Sequence, residues 1–334
     1  MPKLVVNLFA EEFIGEANGV TTAFVEAVDA LRKRDDIELK INADEPYEVL
    51  HSHTIGVQFV LKSWGKRKKT VVSAHVVPDS FIGSLIFSRL WQPLAKLYLR
   101  YIYDRASVVV AVSPVVKEEL TKIGLKAKIE VLCNSVDRIK FKPDAQARAE
   151  IRKKHGIGPN EKVALCVGQI QPRKGVEDFM KTAENLPDVK FMWVGGRPYG
   201  RLTEEYDKMT GLVDNAPDNV IFTGIIEFKD MPLYYAAADI YFMPSFQENF
   251  AFATIEAASV KLPLVTRDNP EYPGTLFDHY LKAADAEGFT AIIKKLATDE
   301  TFYQEYGRHS DTLADMYEIN AYTEKLVDIY RSVT

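Results

Sequence analysis

The stretch Pro244–Val265, PSFQENFAFATIEAASVKLPLV, follows directly on the apolar run Asp239–Met243. An apolar run that stops at Pro-Ser reads as a buried strand ending at a sheet edge. A short polar turn then leads into FATIEAAS, the first turns of a helix, and on to a second strand at Leu262–Thr266. Strand, loop and helix N-terminus in that order set backbone N–H groups and the positive end of a helix dipole at the carboxyl edge of a parallel sheet, a place suited to phosphate. Glu248 in the loop and Glu256 in the helix bracket that place. A carboxylate beside an anion site is unfavourable unless it holds something else, and the hydroxyls of a sugar or ribose are natural partners.

Outward from this stretch the same alternation recurs. Val163–Gly168, Lys190–Val194 and Val220–Thr223 read as further strands, with helical segments after most of them. The first half repeats the pattern with strand candidates Leu4–Ala10, Ile37–Ile41, Val49–His53, Thr70–His75, Ser107–Ser113 and Ile129–Asn134. Its first helix, Gly19–Lys33, carries Val20, Phe24, Val28 and Leu31 at helical spacing. Such alternation predicts an α/β chain of two Rossmann-like domains, each a parallel sheet with helices on both faces. The stretch 143–162, with two prolines, two glycines and many charges, is the natural junction. The expected division is 1–142, a junction at 143–162, a second domain at 163–310, and C-terminal helices at 311–334.

Composition agrees with this. The 334 residues suffice for two domains with cores of their own, and 47% apolar with 27% charged residues is the balance of a soluble globular protein. The N-terminal MPKLVVNLFAEEF turns acidic too early for a secretory signal, and no apolar run approaches the roughly 20 residues that span a bilayer. Cys133 and Cys166 sit in apparent strands without metal-site spacing, which fits buried thiols in a reducing cytoplasm. The net charge of −5 hides a basic block: between Lys62 and Arg105 nine Lys and Arg face only Asp79 and Asp104. An acidic protein with one basic block presents that block to something anionic.

The setting PS-x-x-E-N-F-x-x-x-x-I-E-A, with Glu248 and Glu256 eight residues apart, resembles the E-x7-E signature of retaining GT-B glycosyltransferases of the family 4 type. Other segments carry the resemblance in order. Val167-Gly168-Gln169-Ile170-Gln171-Pro172-Arg173-Lys174-Gly175 is similar to that family's G-R-x-x-x-x-K-G element. Lys174 and Gly175 match, but Gln169 stands where the family has Arg, so either Arg173 supplies the missing charge or Lys174 acts alone. Gly195 with Gly196, and Gly224 with Ile225, correspond to strand ends that approach the nucleotide in the family, although a plain turn explains these glycines nearly as well. Tyr234, Tyr235 and Asp239 correspond to a mainly packing stretch. In the first half, Asn18-Gly19 resembles the loop under the donor, and His75 takes the position of the family's active-site histidine. His51 and His53 resemble its D-x-x-H-x-H strand end with Glu48 in the Asp position. Ser113, Asn134 and Asp137 complete the series, with Ser135 replacing a usual Gly.

The resemblance implies a GT-B enzyme with two domains facing a central cleft and a C-terminal helix, Asn320–Ser332, crossing back to the N-terminal domain. It implies His75, Glu248 and Lys174 as catalytic residues, and a UDP-sugar donor held by Gly19, Gly168, Gln169, Arg173, Lys174, Gly195, Gly224, Ile225, Glu248, Asn249, Phe250, Ala251 and Glu256. No Asp-x-Asp motif stands at a strand end. The implied chemistry is front-face attack by an acceptor hydroxyl without metal or cofactor, Lys and Arg taking the diphosphate charge.

Residues 80–105 mix large apolar and aromatic side chains with Arg and Lys, just after KSWGKRKK at 62–69. The pattern fits a helix held at an anionic bilayer and equally a core helix with a solvated basic face. Wording such as HVVPDS is similar to that of bacterial enzymes extending diacylglycerol glycolipids. That resemblance implies a peripheral enzyme at the cytoplasmic membrane face, moving glucose or galactose to a monohexosyl diacylglycerol. Lys66, Arg67, Lys68, Lys69, Phe81, Phe87, Trp91 and Arg100 would face acceptor and membrane. A soluble or polyprenyl-linked saccharide acceptor and a non-catalytic sugar-nucleotide-binding protein are the rival readings. A nucleic-acid role is not expected, since the basic block lacks an RNA-binding fold signature.

Overall fold

The computed structural model describes residues 2–11, 19–44, 46–64, 69–78, 88–196, 205–270 and 272–334, with backbone alone at 88–92. Lys66, Arg67, Lys68, Phe81, Phe87 and the Trp91 side chain lie outside the described residues. The chain divides into two compact units, crossing from the first to the second after Ser135 and returning to the first at Tyr317.

The first unit is built on a parallel sheet of six strands: β1 (Leu4–Phe9), β2 (Ile37–Ile41), β3 (Val49–Ser52), β4 (Thr70–Ala74), β5 (Val108–Ala111) and β6 (Lys128–Val131). Their order across the sheet is β2-β1-β3-β4-β5-β6. β3 and β4 are buried at every residue, as a strand covered on both faces must be. The helix α1 (Gly19–Arg32) packs Ala27, Val28 and Leu31 on this sheet. Tyr322, Leu326, Val327 and Tyr330 of the C-terminal helix join the same cluster. The remaining helices of this unit are α2 (Val57–Lys62), α3 (Ser88–Tyr103) and α4 (Pro114–Lys122), the last capped by Ser113 Oγ, which accepts from Val116 N–H at 3.2 Å.

The second unit begins with α5 (Ala145–Lys154), so the stretch read as the junction supplies a helix of this unit. Asp144 caps it, and its Arg148 and Arg152 reach Asp239 at 2.7 and 2.6 Å. Asp239 also accepts from Val163 N–H at 2.8 Å, so this residue, read as packing, is a buried ionic anchor. The sheet contains β7 (Lys162–Val167), β8 (Val189–Val194), β9 (Val220–Gly224), β10 (Ile240–Met243), β11 (Leu264–Arg267) and β12 (Leu281–Ala283), in the order β12-β11-β10-β7-β8-β9. The helices are α6 (Val176–Asn185), α7 (Tyr206–Asp214), α8 (Met231–Ala237), α9 (Phe252–Ser259), α10 (Ala286–Thr298) and α11 (Glu300–Met316), and α12 (Ile319–Ser332) returns the chain to the first unit. An aromatic cluster fixes this core, with Phe179 lying 5.0 Å from Trp193, 5.5 Å from Phe191 and 5.6 Å from Phe242. Among the described residues no helix is long and apolar enough to cross a membrane.

Candidate functional site

In an open parallel sheet, ligands gather at the carboxyl ends of the strands where the strand order reverses. In the second unit that point lies between β7 and β10. The loops following these two strands carry Gly168–Gly175 and Pro244–Ala251. At their meeting Lys174 Nζ lies 2.5 Å from Glu248 Oε1, both side chains being about nine-tenths enclosed. Burial works against the charge on Glu248, but Lys174, Arg173 and hydrogen bonds from Lys174 and Ser245 outweigh it and hold the carboxyl below its usual range. Burial draws Lys174 below the usual lysine range, and Glu248 offsets this only in part. The result is a poised ion pair, desolvated and stabilised by its partner.

The loop after β7 turns through a single 3₁₀ turn, Pro172–Lys174, into Gly175 at φ 74°. A Cβ there would stand 2.2 Å from Pro244 O, so only glycine lets this loop close on the β10 loop. Gly195, at φ 140°, is equally constrained, since a Cβ would lie 2.0 Å from Gly168 O. Gly195 N–H donates to Gly224 O at 3.0 Å, and Gly168 N–H to Val194 O at 2.9 Å. These three glycines therefore form one bare strip of backbone along the ends of β7, β8 and β9, with Ile225 exposed at its end. Gln169 Oε1 accepts from Gln171 Nε2 at 2.9 Å. Arg173 donates to Gln171 Oε1 at 3.2 Å and to Gln247 O at 3.3 Å, bridging the two loops beside Lys174.

Asn249, Phe250 and Ala251 lead into α9, whose N-terminus has no side-chain cap. Phe252 N–H donates to Phe250 O and Thr254 N–H to Ala251 O, both at 3.0 Å, so the turn itself closes these groups and the positive end of the helix dipole is what faces a ligand. Glu256, one turn further on, is enclosed and accepts from Tyr235 OH at 2.5 Å. Burial pushes its carboxyl up to about 7 against the opposing effects of Tyr235 and Lys140. The two glutamates of the motif therefore occupy different environments: Glu248 beside a cation, Glu256 beside a phenol.

Reading the sequence missed the clamp that holds the β10 loop. Arg267, at the end of β11, donates from Nε to Pro244 O at 3.0 Å, pairs with Asp178 and stacks 3.8 Å over the Phe246 ring. Asn269 donates to Ser245 O at 2.8 Å. The one available signal was TRDNP after an apolar run, which becomes meaningful only once β11 is known to lie beside β10.

In the first unit the corresponding point lies between β1 and β3. Gly19 opens α1 there. Next to it three histidines line up from the ends of β3 and β4. His51 is fully buried, its Nδ1 2.6 Å from Tyr330 OH and its Nε2 2.9 Å from Ser73 Oγ. His53 Nδ1 lies 3.2 Å from His75 Nε2, the two rings stacked at 25° with centroids 5.3 Å apart. Burial pushes His51 down to about 3 and His75 down to about 4, with His75 adding to the effect on His51. His53 is lowered by burial first and then by its two neighbours. All three imidazoles are therefore neutral at neutral pH. Only His75 is half-exposed; His51 ties the C-terminal helix to the sheet. Glu48 accepts Val5 N–H at 3.0 Å, tying the start of β3 to β1, and in the second unit Asp137 accepts Ile139 N–H at 2.9 Å in a local turn.

Among the described residues no group of three or more His, Cys, Asp or Glu side chains is arranged to hold a metal ion. Lys69 and Arg100 are exposed on the first unit.

Comparison with known proteins agrees with this geometry. The family described as glycosyl transferases group 1 matches residues 147–311, and glycosyltransferase family 4 matches residues 18–139. The alpha-galactosylglucosyldiacylglycerol synthase of Streptococcus pneumoniae is 28% identical, covering 98% of this chain and 89% of its own. The processive diacylglycerol alpha-glucosyltransferase of Acholeplasma laidlawii is 28% identical over 87% of each chain. Among solved structures, Anabaena HepE in complex with UDP and glucose superposes with a TM-score of 0.79 at 17% identity, covering 98% of this chain and 99% of its own. Sucrose-phosphate synthase from Thermosynechococcus elongatus gives 0.79 at 17% identity over 99% of both chains. The fold is GT-B.

Proposed function

This chain belongs to the glycosyltransferases of group 1 and family 4, and from that premise we propose that it moves a hexose, glucose or galactose, from a UDP-sugar to a monohexosyl diacylglycerol, working peripherally at the cytoplasmic face of the membrane. The observation that carries the donor half is the enclosed Lys174–Glu248 pair at the strand-order reversal of the second unit. The acceptor half is supported by the two diacylglycerol glycosyltransferases that match nearly the whole chain.

In this reading the UDP-sugar is a co-substrate and no further cofactor takes part. Lys174 and Arg173 face the diphosphate, the glycine strip Gly168–Gly195–Gly224 lets the nucleotide approach backbone, and the start of α9 adds the positive end of its dipole. Glu248 accepts hydroxyls of the transferred sugar, while Glu256, held by Tyr235, belongs to the nucleotide side. The acceptor hydroxyl attacks C1, the C1–O bond to the β-phosphate breaks, and the departing phosphate oxygen takes the hydroxyl proton. His75, neutral and half-exposed, is assigned to the sugar as an uncharged hydrogen-bonding group. The 1–142 part takes the acceptor and the 163–310 part the donor.

The test is turnover of radiolabelled UDP-glucose and UDP-galactose with anionic vesicles containing diacylglycerol or monoglucosyl diacylglycerol. A new dihexosyl lipid is the expected product. Hydrolysis of the donor above background without any lipid product would retain the donor site and move the acceptor to a soluble or polyprenyl-linked saccharide.

A further inference from the structure

Burial keeps the three imidazoles at the ends of β3 and β4 neutral, so each ring carries a single N–H. Which nitrogen carries it decides what the outermost ring, His75, offers to a ligand. The middle ring, His53, is only 3% exposed and is held on three sides. His51 lies 4.6 Å from it and His75 5.3 Å, centroid to centroid, while Phe24 of α1 meets it edge-on at 5.5 Å. Its backbone is tied as well, His53 N–H donating to Phe9 O at 2.9 Å. His51 behind it is fixed at both ring nitrogens, by Tyr330 OH and Ser73 Oγ.

The two ring nitrogens of His53 stand in different surroundings. Nδ1 lies 3.2 Å from His75 Nε2, within hydrogen-bonding reach. Nε2 is buried and meets no hydrogen-bond partner among the described residues. Between two neutral rings in contact, one nitrogen donates and the other accepts. If His75 Nε2 donated, the proton of His53 would sit on Nε2 as a buried, unpaired N–H. If His53 Nδ1 donates, only a lone pair is left unpaired at Nε2, and folded proteins leave buried acceptors unpaired more readily than buried donors. The proton of His53 therefore belongs on Nδ1. His75 then accepts at Nε2 and carries its own proton on Nδ1. A ring fixed in this way offers a donor and has no vacant lone pair to take a proton from an attacking hydroxyl, in keeping with a departing phosphate that takes it instead.

We propose that His53 is a positioning residue: its Nδ1–H, donated to His75 Nε2, holds His75 in the Nδ1–H tautomer, so that His75 donates a hydrogen bond to an oxygen of the transferred sugar. This rests on the assignment of His75 to the sugar. It goes beyond that assignment by naming the atom, the direction of the bond and the residue that sets both. Through His51 and its contact with Tyr330, the C-terminal helix α12 backs the same arrangement.

The test is long-range proton–nitrogen NMR of the whole protein with isotope-labelled histidine at neutral pH, the His75 signals being assigned by their loss in His75→Asn. Wild-type protein is expected to show a protonated Nδ1 and a bare Nε2 at His75. A proton on His75 Nε2 would overturn the proposal without any variant being made. In His53→Leu the buried Nε2 of His75 loses its donor, and the half-exposed ring is expected to turn towards solvent and show both tautomers. The kcat/KM for the UDP-sugar should then fall about tenfold, one hydrogen bond's worth. His53→Asn, whose amide N–H stands close to the place of Nδ1, is expected to recover most of the tautomer and of the activity. A lowered Tm in His53→Leu with tautomer and kcat/KM unchanged would mean packing alone and would sink the positioning role. His75→Leu separates the two levels of the argument. Unchanged kcat/KM there would refute the assignment of His75 to the sugar, and this proposal with it; a large loss there beside none in His53→Leu would refute the positioning role alone.

Discussion

The two units present the same topological feature with opposite chemistry. Each has a parallel sheet of six strands whose order reverses once, and each brings polar side chains to the carboxyl ends next to that reversal. In the second unit these are a cation and a carboxylate, Lys174 and Glu248, desolvated and paired. In the first unit they are three imidazoles that burial keeps neutral, joined to each other, to Ser73 and to Tyr330. Strand order thus determines where a site is found, and the side chains determine what it can hold. A charged lining suits a nucleoside diphosphate, whereas a neutral lining of hydrogen-bonding rings suits a sugar hydroxyl and would repel neither a glycolipid nor its sugar.

The comparison breaks if the charged edge is dispensable. Glu248→Ala should lower kcat by about 10²- to 10³-fold, the loss typical of a group that meets developing charge. It should also leave Lys174 buried without its partner, at a cost of about 3–5 kcal/mol in stability. Glu248→Gln, which keeps the shape, should lose activity with much less loss of stability. Measured kcat beside chemical denaturation separates the two effects, and near-normal turnover in either variant would refute the donor-site assignment.

Acidity sharpens the comparison, because the two edges respond to pH with opposite sign. His75 has its folded pKa lowered to about 4, so the unfolded chain binds the proton more readily. Its contribution is fully present above the unfolded value of about 6.5 and is lost as pH falls through 4. Glu256 has its folded pKa raised to about 7, so the folded chain binds the proton more readily. Its contribution is fully present below the unfolded value of about 4.5 and is lost as pH rises through 7, at roughly 3 kcal/mol if the whole shift is realised. Between pH 4.5 and 6.5 the two therefore oppose each other. Glu256→Gln should make stability climb more steeply with pH across that window, and His75→Asn should make it climb less. Hydrogen exchange of α9 and β4 amides over this range reads the two units separately; identical pH profiles in wild type and both variants would remove the contrast.

Much of this was legible in the residues. The β1 strand and the α1 helix follow from apolar runs and period, and β10, the turn at Pro244-Ser245 and the α9 start follow from one stretch. Strand β12 was not legible: its three residues, Leu281-Lys-Ala, carry too little apolar patterning, and only the neighbouring β11 makes them a strand. The Arg267 clamp and the His51–Tyr330 bond were hidden for a related reason. They join residues 23 and 279 positions apart, and no local period records such a distance. The exposed apolar stripe of α3 (Leu94, Leu97, Tyr98 and Tyr101) was half legible and that of α2 (Val57 and Leu61) was not. The mix of apolar and basic residues at 80–105 fitted both a bilayer-held helix and a core helix, and only the packed structure separates the face that is buried from the face that is not.

The smallest expected effect concerns Arg173, the residue offered as a substitute for the arginine that Gln169 replaces. Its guanidinium bridges Gln171 Oε1 and Gln247 O, and its charge acts on Glu248 alongside that of Lys174. A group in that position adds positive potential where a diphosphate would lie without being the sole counter-charge. Arg173→Gln should therefore raise the KM for the UDP-sugar by about tenfold, one charge-assisted hydrogen bond's worth, with kcat lowered less. Lys174→Gln should lower kcat as well, since Lys174 alone is buried against Glu248. The reverse-charge pair Gln169→Arg/Arg173→Gln decides between position and charge: recovery of KM means that the site needs a second cation anywhere along this loop. A KM that stays high means that it needs one at position 173, where the two loops are bridged.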